Sequence, residues 1–150
     1  MKKAILFCYS IHHGNTRKIV DAVAERLPVR VVGVPVREEI DLGEYDIVGF
    51  ASGIYMHVIG KPMTALIDSL DGLEQKDCFT MYTCGAPGNG FDAAAQDPVK
   101  AKCARYLGNW HCRGFDTYGP FKLIGGLAKG RPNQSDIEKA VKFVRSLLEQ

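Results

Sequence analysis

Unbroken apolar runs alternate along this chain with stretches in which apolar positions recur at helical spacing. Lys3 to Tyr9 (KAILFCY) is continuous, the pattern of a central strand buried on both faces. From Thr16 to Leu27 the apolar residues Ile19, Val20, Val23, Ala24 and Leu27 share one helical face, and Pro28 ends the pattern. Val29 to Val36 is β-branched and reads as a strand, with Pro35 arguing for an edge position. Tyr45 to Ser52 predicts a third strand, and Pro62 opens a helix through about Leu70. Asp77 to Cys84 predicts a fourth strand, leading into GAPGNG. A helix is predicted from Pro98 to near Leu107, with Gly108 just past its end. Trp110 to Gly119 reads as a short fifth strand and a following loop. In the last helix Ser135 and Glu138 predict a capping box, and Ile137, Val141, Val144, Leu147 and Leu148 form the inner stripe.

Alternating strands and helices imply a parallel sheet covered on both faces, an α/β architecture. A length of 150 residues with no linker, repeat or low-complexity segment suits one domain, 1–150. The net charge of +2 is too small to argue for nucleic acid, and the Lys and Arg residues are scattered among Asp and Glu. No apolar run approaches a membrane span, and the opening MKKAILFCYS reads as a strand rather than an export signal, so a cytoplasmic location is expected. The five cysteines form no C-x-x-C pair and suggest free, mostly buried thiols rather than disulfides or a metal site.

In a sheet of this kind ligands bind beyond the carboxyl ends of the strands. Three glycine-containing loops fall there: Ser10–Thr16, Ser52–Gly60 and Cys84–Gly90. In the first, Gly14 permits close backbone approach, and Asn15 and Thr16 open a helix whose free N–H groups attract an anion. Ser10, Thr16, His12 and His13 add donors. The loop lacks the G-K-[ST] of a P-loop and the G-x-G-x-x-G of a dinucleotide site, so a monophosphate is the better match. An ordinary strand-to-helix turn explains the same residues, and both readings stand on the local sequence alone. In the second loop Tyr55 and Met56 are large enough to stack on a flat ring. The third, TCGAPGNGF, offers backbone polar groups with few side chains in the way. No His or Asp nominates Cys84 as a catalytic thiol.

Taken together, AILFCYSIHHGNTRKIVDAVAERL, YDIVGFASGIYMHVIGKPMTALIDSL, FTMYTCGAPGNG and GRPNQSDIEKAVKFV resemble the flavodoxin-like family across nearly the whole chain. The resemblance implies a three-layer, doubly wound, five-stranded parallel sheet in the order 2-1-3-4-5, with flavin mononucleotide (FMN) as cofactor. It implies that Ser10, His12, His13, Gly14, Asn15 and Thr16 hold the phosphate. Gly53, Ile54, Tyr55 and Met56 would lie along one side of the ring. Cys84, Gly85 and Ala86, with Gly88, Asn89 and Gly90, would face its other side or its pyrimidine edge. No catalytic side chain and no metal ligand are implied. The first loop is one residue longer than the usual pattern and carries His12 where a hydroxyl is common. The second stacking aromatic would be Phe91 or Trp110. The sequence pI of 8.3 contrasts with the acidic surfaces of family members that carry electrons.

The leading expectation is a carrier of low-potential electrons through the flavin semiquinone and hydroquinone. Its partners would be redox proteins, a reductase or ferredoxin-type donor and an unspecified acceptor. The alternatives are an FMN-dependent oxidoreductase acting directly on a quinone or porphyrinogen-type acceptor, and a flavin-free interaction module.

Overall fold

A computed structural model describes all residues, Met1–Gln150. The elements run β1 (Ala4–Tyr9), α1 (Asn15–Ala24), β2 (Val29–Gly33), β3 (Ile47–Tyr55), β4 (Val58–Ile59), α2 (Lys61–Ser69), β5 (Asp77–Cys84), α3 (Phe91–Lys100), β6 (Arg105–Arg113) and α4 (Gln134–Leu148). Three short 3-10 turns occupy Leu42–Glu44, Leu73–Gln75 and Gly119–Ile124. Five strands pair in parallel in the order β2-β1-β3-β5-β6, and β4 folds back antiparallel on the end of β3. Counted without β4, this is the predicted order 2-1-3-4-5. β2 takes the edge position that Pro35 suggested, but it stops at Gly33, so Val34, Pro35 and Val36, read as part of the strand, lie beyond its end.

The side-chain alternation of β1 divides the interior. Ala4, Leu6 and Cys8 face α1 and α4, packing with Ile19, Val23, Val141 and Val144. Ile5 and Phe7 face α2 and α3, packing with Met63, Ile67 and Val99. A strand flanked by helices on both sides must be apolar at every position, which is why its sequence is unbroken. Gly49 sits where the central strand leaves no room: an added Cβ would overlap the Phe79 ring and lie 2.6 Å from Leu6 Cδ1. Gly49→Ala is therefore expected to destabilise the protein by about 2 kcal/mol in urea denaturation; an unchanged midpoint would refute this packing.

Several boundaries differ from expectation. The helix placed at Pro98–Leu107 begins at Phe91, and Pro98 lies inside it, while Arg105–Arg113 is strand. In the final turn of a short helix Pro98 removes few backbone bonds, and Ala93, Ala94 and Ala95 are strong helix formers. Gly108, read as a helix terminator, instead has φ 145° beside a bulge, where Tyr106 pairs with Cys78 and Gly108 with Phe79. The capping box of the last helix is Asn133 and Asp136, two residues before the predicted pair. β3 also runs on to Tyr55 and turns at Met56–His57 into β4, so the second loop is mostly a hairpin. No helix is long and apolar enough to cross a membrane.

Candidate functional site

The first loop leaves β1 and enters α1 through two left-handed residues, His13 (φ 54°) and Gly14 (φ 63°). No side chain caps the helix. The Lys18 N–H reaches the Gly14 carbonyl, while the N–H groups of Thr16 and Arg17 donate to no backbone carbonyl. Free donors at the positive end of a helix are what an anion seat requires. The Thr16 hydroxyl is turned inward, 2.8 Å from Thr83 Oγ1, and so ties this helix start to the end of β5. Ser10 is half-buried.

The hairpin stands beside this seat. Its base is pinned by Ser52, whose hydroxyl donates to the Gly53 carbonyl and accepts the Gly60 N–H. Met56 (φ 52°) and His57 (φ 69°) form its two-residue turn, a conformation in which side chains are strained. Tyr55 folds back over Gly53, and its hydroxyl accepts the Ile11 N–H at 3.2 Å. A Cβ at Gly53 would lie 2.6 Å from that hydroxyl, so glycine is needed for the ring to lie flat there. Burial raises the Tyr55 pKa, and the Ile11 N–H only partly opposes it. Met56 is exposed at the tip and accepts a hydrogen bond from the Tyr118 hydroxyl at 3.5 Å.

The third loop, Gly85–Gly90, keeps its amides free: the N–H groups of Gly85, Ala86, Gly88, Asn89 and Gly90 donate to no backbone carbonyl. Arg113 Nε donates to the Gly85 carbonyl at 2.9 Å. Gly88 accommodates the Phe91 ring, which packs inward, and Trp110 packs toward α4. The aromatic groups near the seat are instead Tyr9, edge-on to Tyr55 at 5.7 Å, and Phe115, 4.6 Å from the His13 ring. Burial raises the Cys84 thiol pKa, with Arg113 opposing, which leaves the sulfur protonated and unreactive.

A fourth segment, Gly114–Thr117, completes the site. Sequence reasoning left it as the loop after the fifth strand. Asn15 Nδ2 donates to the Phe115 carbonyl at 2.9 Å, and Gly114 is glycine because a Cβ there would lie 2.5 Å from Asn15 Nδ2. His13 Nε2 meets Thr117 Oγ1 at 2.8 Å, and His12 Nε2 lies 3.2 Å from Asp116 Oδ1. The signal was topological: β6 is parallel to its neighbours, so the loop after it must emerge at the same edge. His12, Asn15, Gly53, Tyr55, Cys84, Gly85 and Asp116 together line a cavity of about 30 Å³, room for a water-sized group between the loops. Ile54 lines it as well, whereas Ala86, Gly88, Asn89 and Gly90 remain on the exposed rim.

A flavodoxin domain family model matches residues 6–109. An uncharacterized protein of Methanocaldococcus jannaschii is 36% identical over 148 residues, 97% of this chain and 98% of that protein. Among solved structures, an archaeal flavodoxin superposes with a TM-score of 0.68 at 14% identity, covering 98% of this chain and 96% of its own. A flavodoxin of Streptococcus pneumoniae TIGR4 gives 0.67 at 20% identity, covering 97% and 96%. A Lactobacillus acidophilus flavoprotein in complex with FMN gives 0.63 at 14% identity, covering 74% of this chain and 93% of its own.

Proposed function

Since this chain belongs to the flavodoxin domain family, we propose that it is an FMN-binding redox protein, one domain over residues 1–150, that passes electrons singly between partner proteins. The observation that carries this reading is the convergence of unused donors on one sheet edge. The free N–H groups of Thr16 and Arg17, with His12 and His13 beside them, suit a phosphate. The free amides of Gly85–Gly90 suit the polar edge of a ring, and the Tyr55–Met56 hairpin supplies an apolar wall beside it. Bound FMN would supply the electron storage. The chain's own part is to seat the phosphate, to present the ring to partners and to keep reactive thiols away from it.

Apart from Met1, every exposed large hydrophobic side chain belongs to segments at this edge: Ile11, Met56, Val58, Tyr118, Leu123 and Ile124. Such a concentration around a site supports docking of a partner. A second reading, direct oxidoreduction of a quinone or porphyrinogen-type acceptor, is favoured by one feature. Arg113 sets a cation against the loop that faces the ring edge, which stabilises negative charge and thereby favours electron transfer in pairs.

Anaerobic stepwise reduction of the FMN-loaded protein, followed by visible absorption, tests both. Two separable one-electron steps are expected. A single two-electron step, together with turnover of a quinone without any partner protein, would replace the carrier reading with the oxidoreductase one. Protein that stays colourless after addition of FMN would overturn flavin binding and leave the interaction module.

A further inference from the structure

We propose that Asp116 is an internal anion of the phosphate seat and sets its selectivity between phosphorylated and unphosphorylated flavin. The proposal rests on the FMN reading above and adds a residue that opposes the phosphate. In this structure the amides of Thr16 and Arg17 stay free, but the side chains beside them are engaged from within by three consecutive residues. Phe115 offers its carbonyl to Asn15 Nδ2 at 2.9 Å, and Thr117 Oγ1 lies 2.8 Å from His13 Nε2. Asp116 Oδ1 lies 3.2 Å from His12 Nε2, and the Thr117 N–H points at the same nitrogen, also at 3.2 Å. The segment thus holds His12 in either protonation state. The neutral ring accepts from Thr117, and the protonated ring donates to Asp116.

The carboxylate is wedged between the first and third loops. A Cβ at Gly85 would overlap it, so the absence of a side chain at 85 is what admits it there. Oδ1 also accepts the Tyr118 N–H at 2.8 Å, whereas Oδ2 has no hydrogen-bond partner. A carboxylate beside a helix N-terminus and two imidazoles sits in the field that an anionic ligand would use. An incoming phosphate dianion therefore meets like charge as well as donors. The neutral ribityl end of riboflavin meets no such repulsion.

Asp116→Asn tests this directly, because the amide keeps the volume and an oxygen acceptor for the Tyr118 N–H while removing the charge. Binding of FMN and of riboflavin to the wild type and the variant is measured by quenching of flavin fluorescence. The variant is expected to bind FMN about tenfold more tightly, with riboflavin affinity changed less than about twofold. Equal changes for the two flavins, or weaker FMN binding by the variant, would overturn the proposal. If neither protein takes up flavin, the FMN reading fails and inorganic phosphate decides this one separately. The amide resonances of Thr16 and Arg17 should then saturate at about tenfold lower phosphate in the variant than in the wild type. Saturation at equal phosphate, or no shift in either protein, would overturn it.

Discussion

Raising the pH from 7 to 10 under reducing conditions is expected to remove about 4 kcal/mol of folding stability, a large share of the roughly 5–15 kcal/mol of an ordinary domain. The cause is the set of buried thiols. Burial pushes Cys8 and Cys112 up to about 12 from an ordinary value of 9.0, and it raises Cys78 further, helped by the neighbouring Cys103. For Cys8 nearby Arg17 opposes the shift, and for Cys112 Asp136 adds to it, but desolvation dominates both. Because the folded values lie above the unfolded ones, the stabilisation is complete below about pH 9 and is lost as pH rises toward 12. At pH 10 each of the three thiols favours the unfolded chain by about 1.4 kcal/mol. Tyr106, pushed up to about 12 chiefly by burial, adds to the loss above pH 10. The check is a pair of urea denaturation curves at pH 7 and pH 10, with thiolate absorbance near 240 nm followed in parallel. Thiolate should appear together with unfolding. An unchanged urea midpoint, or thiolate forming in the folded protein, would show that these sulfurs are not held as described.

Removing the guanidinium of Arg131 is expected to have an effect of similar scale, about 3 kcal/mol for Arg131→Ala. Asp136 is the most buried carboxylate, its side chain 6% exposed, and Arg131 grips it with two hydrogen bonds of 2.6 Å. Burial alone would raise the Asp136 pKa, but the Arg131 bonds and the Asn133 N–H outweigh it and hold the carboxyl below the usual range. The alanine variant leaves that charge buried with only backbone and capping partners, and breaking such a pair typically costs 3–5 kcal/mol. The guanidinium is 33% exposed, which places the expected value at the low end. The pH dependence is diagnostic. In the wild type a depressed pKa contributes stability above about pH 4, lost as pH falls through the folded value. In the variant the buried carboxyl prefers its proton. The difference between the two proteins should therefore be widest at neutral pH and shrink by pH 3. A constant difference over that range would mean that Arg131 acts through packing alone. The pair matters beyond α4, because Arg131 also accepts the Phe115 N–H through its backbone and Lys18 holds the adjacent Pro132 carbonyl. The segment that packs against the first loop is anchored at this point.

The strands that carry the fold were legible because burial on both faces writes itself as a continuous apolar run. Ala4–Tyr9 and Asp77–Cys84 match their sequence readings within a residue. The stripe Ile137, Val141, Val144, Leu147 and Leu148 was equally plain, and all five are buried. Punctuating residues misled where one residue type serves two ends. Pro98 resembles a helix opener yet sits in a final turn, and Gly108 resembles a helix stop yet marks a bulge. Neither residue carries local information about which neighbour's hydrogen bonds it interrupts.

For the site, the chain alone located the first and third loops, while the second proved mostly a hairpin. Strand periodicity sets their positions, and a parallel sheet sends every one of them to the same edge. What each side chain does there was decided by partners about a hundred residues away: Asn15 with Phe115, His12 with Asp116, His13 with Thr117. Periodicity is a local property, written by which face of an element is buried, whereas hydrogen-bond partnership in a loop is set by the path of distant backbone. That is why a run of residues can suggest donors for an anion, and only the folded chain reveals that the Asp116 carboxylate lies beside His12 among them.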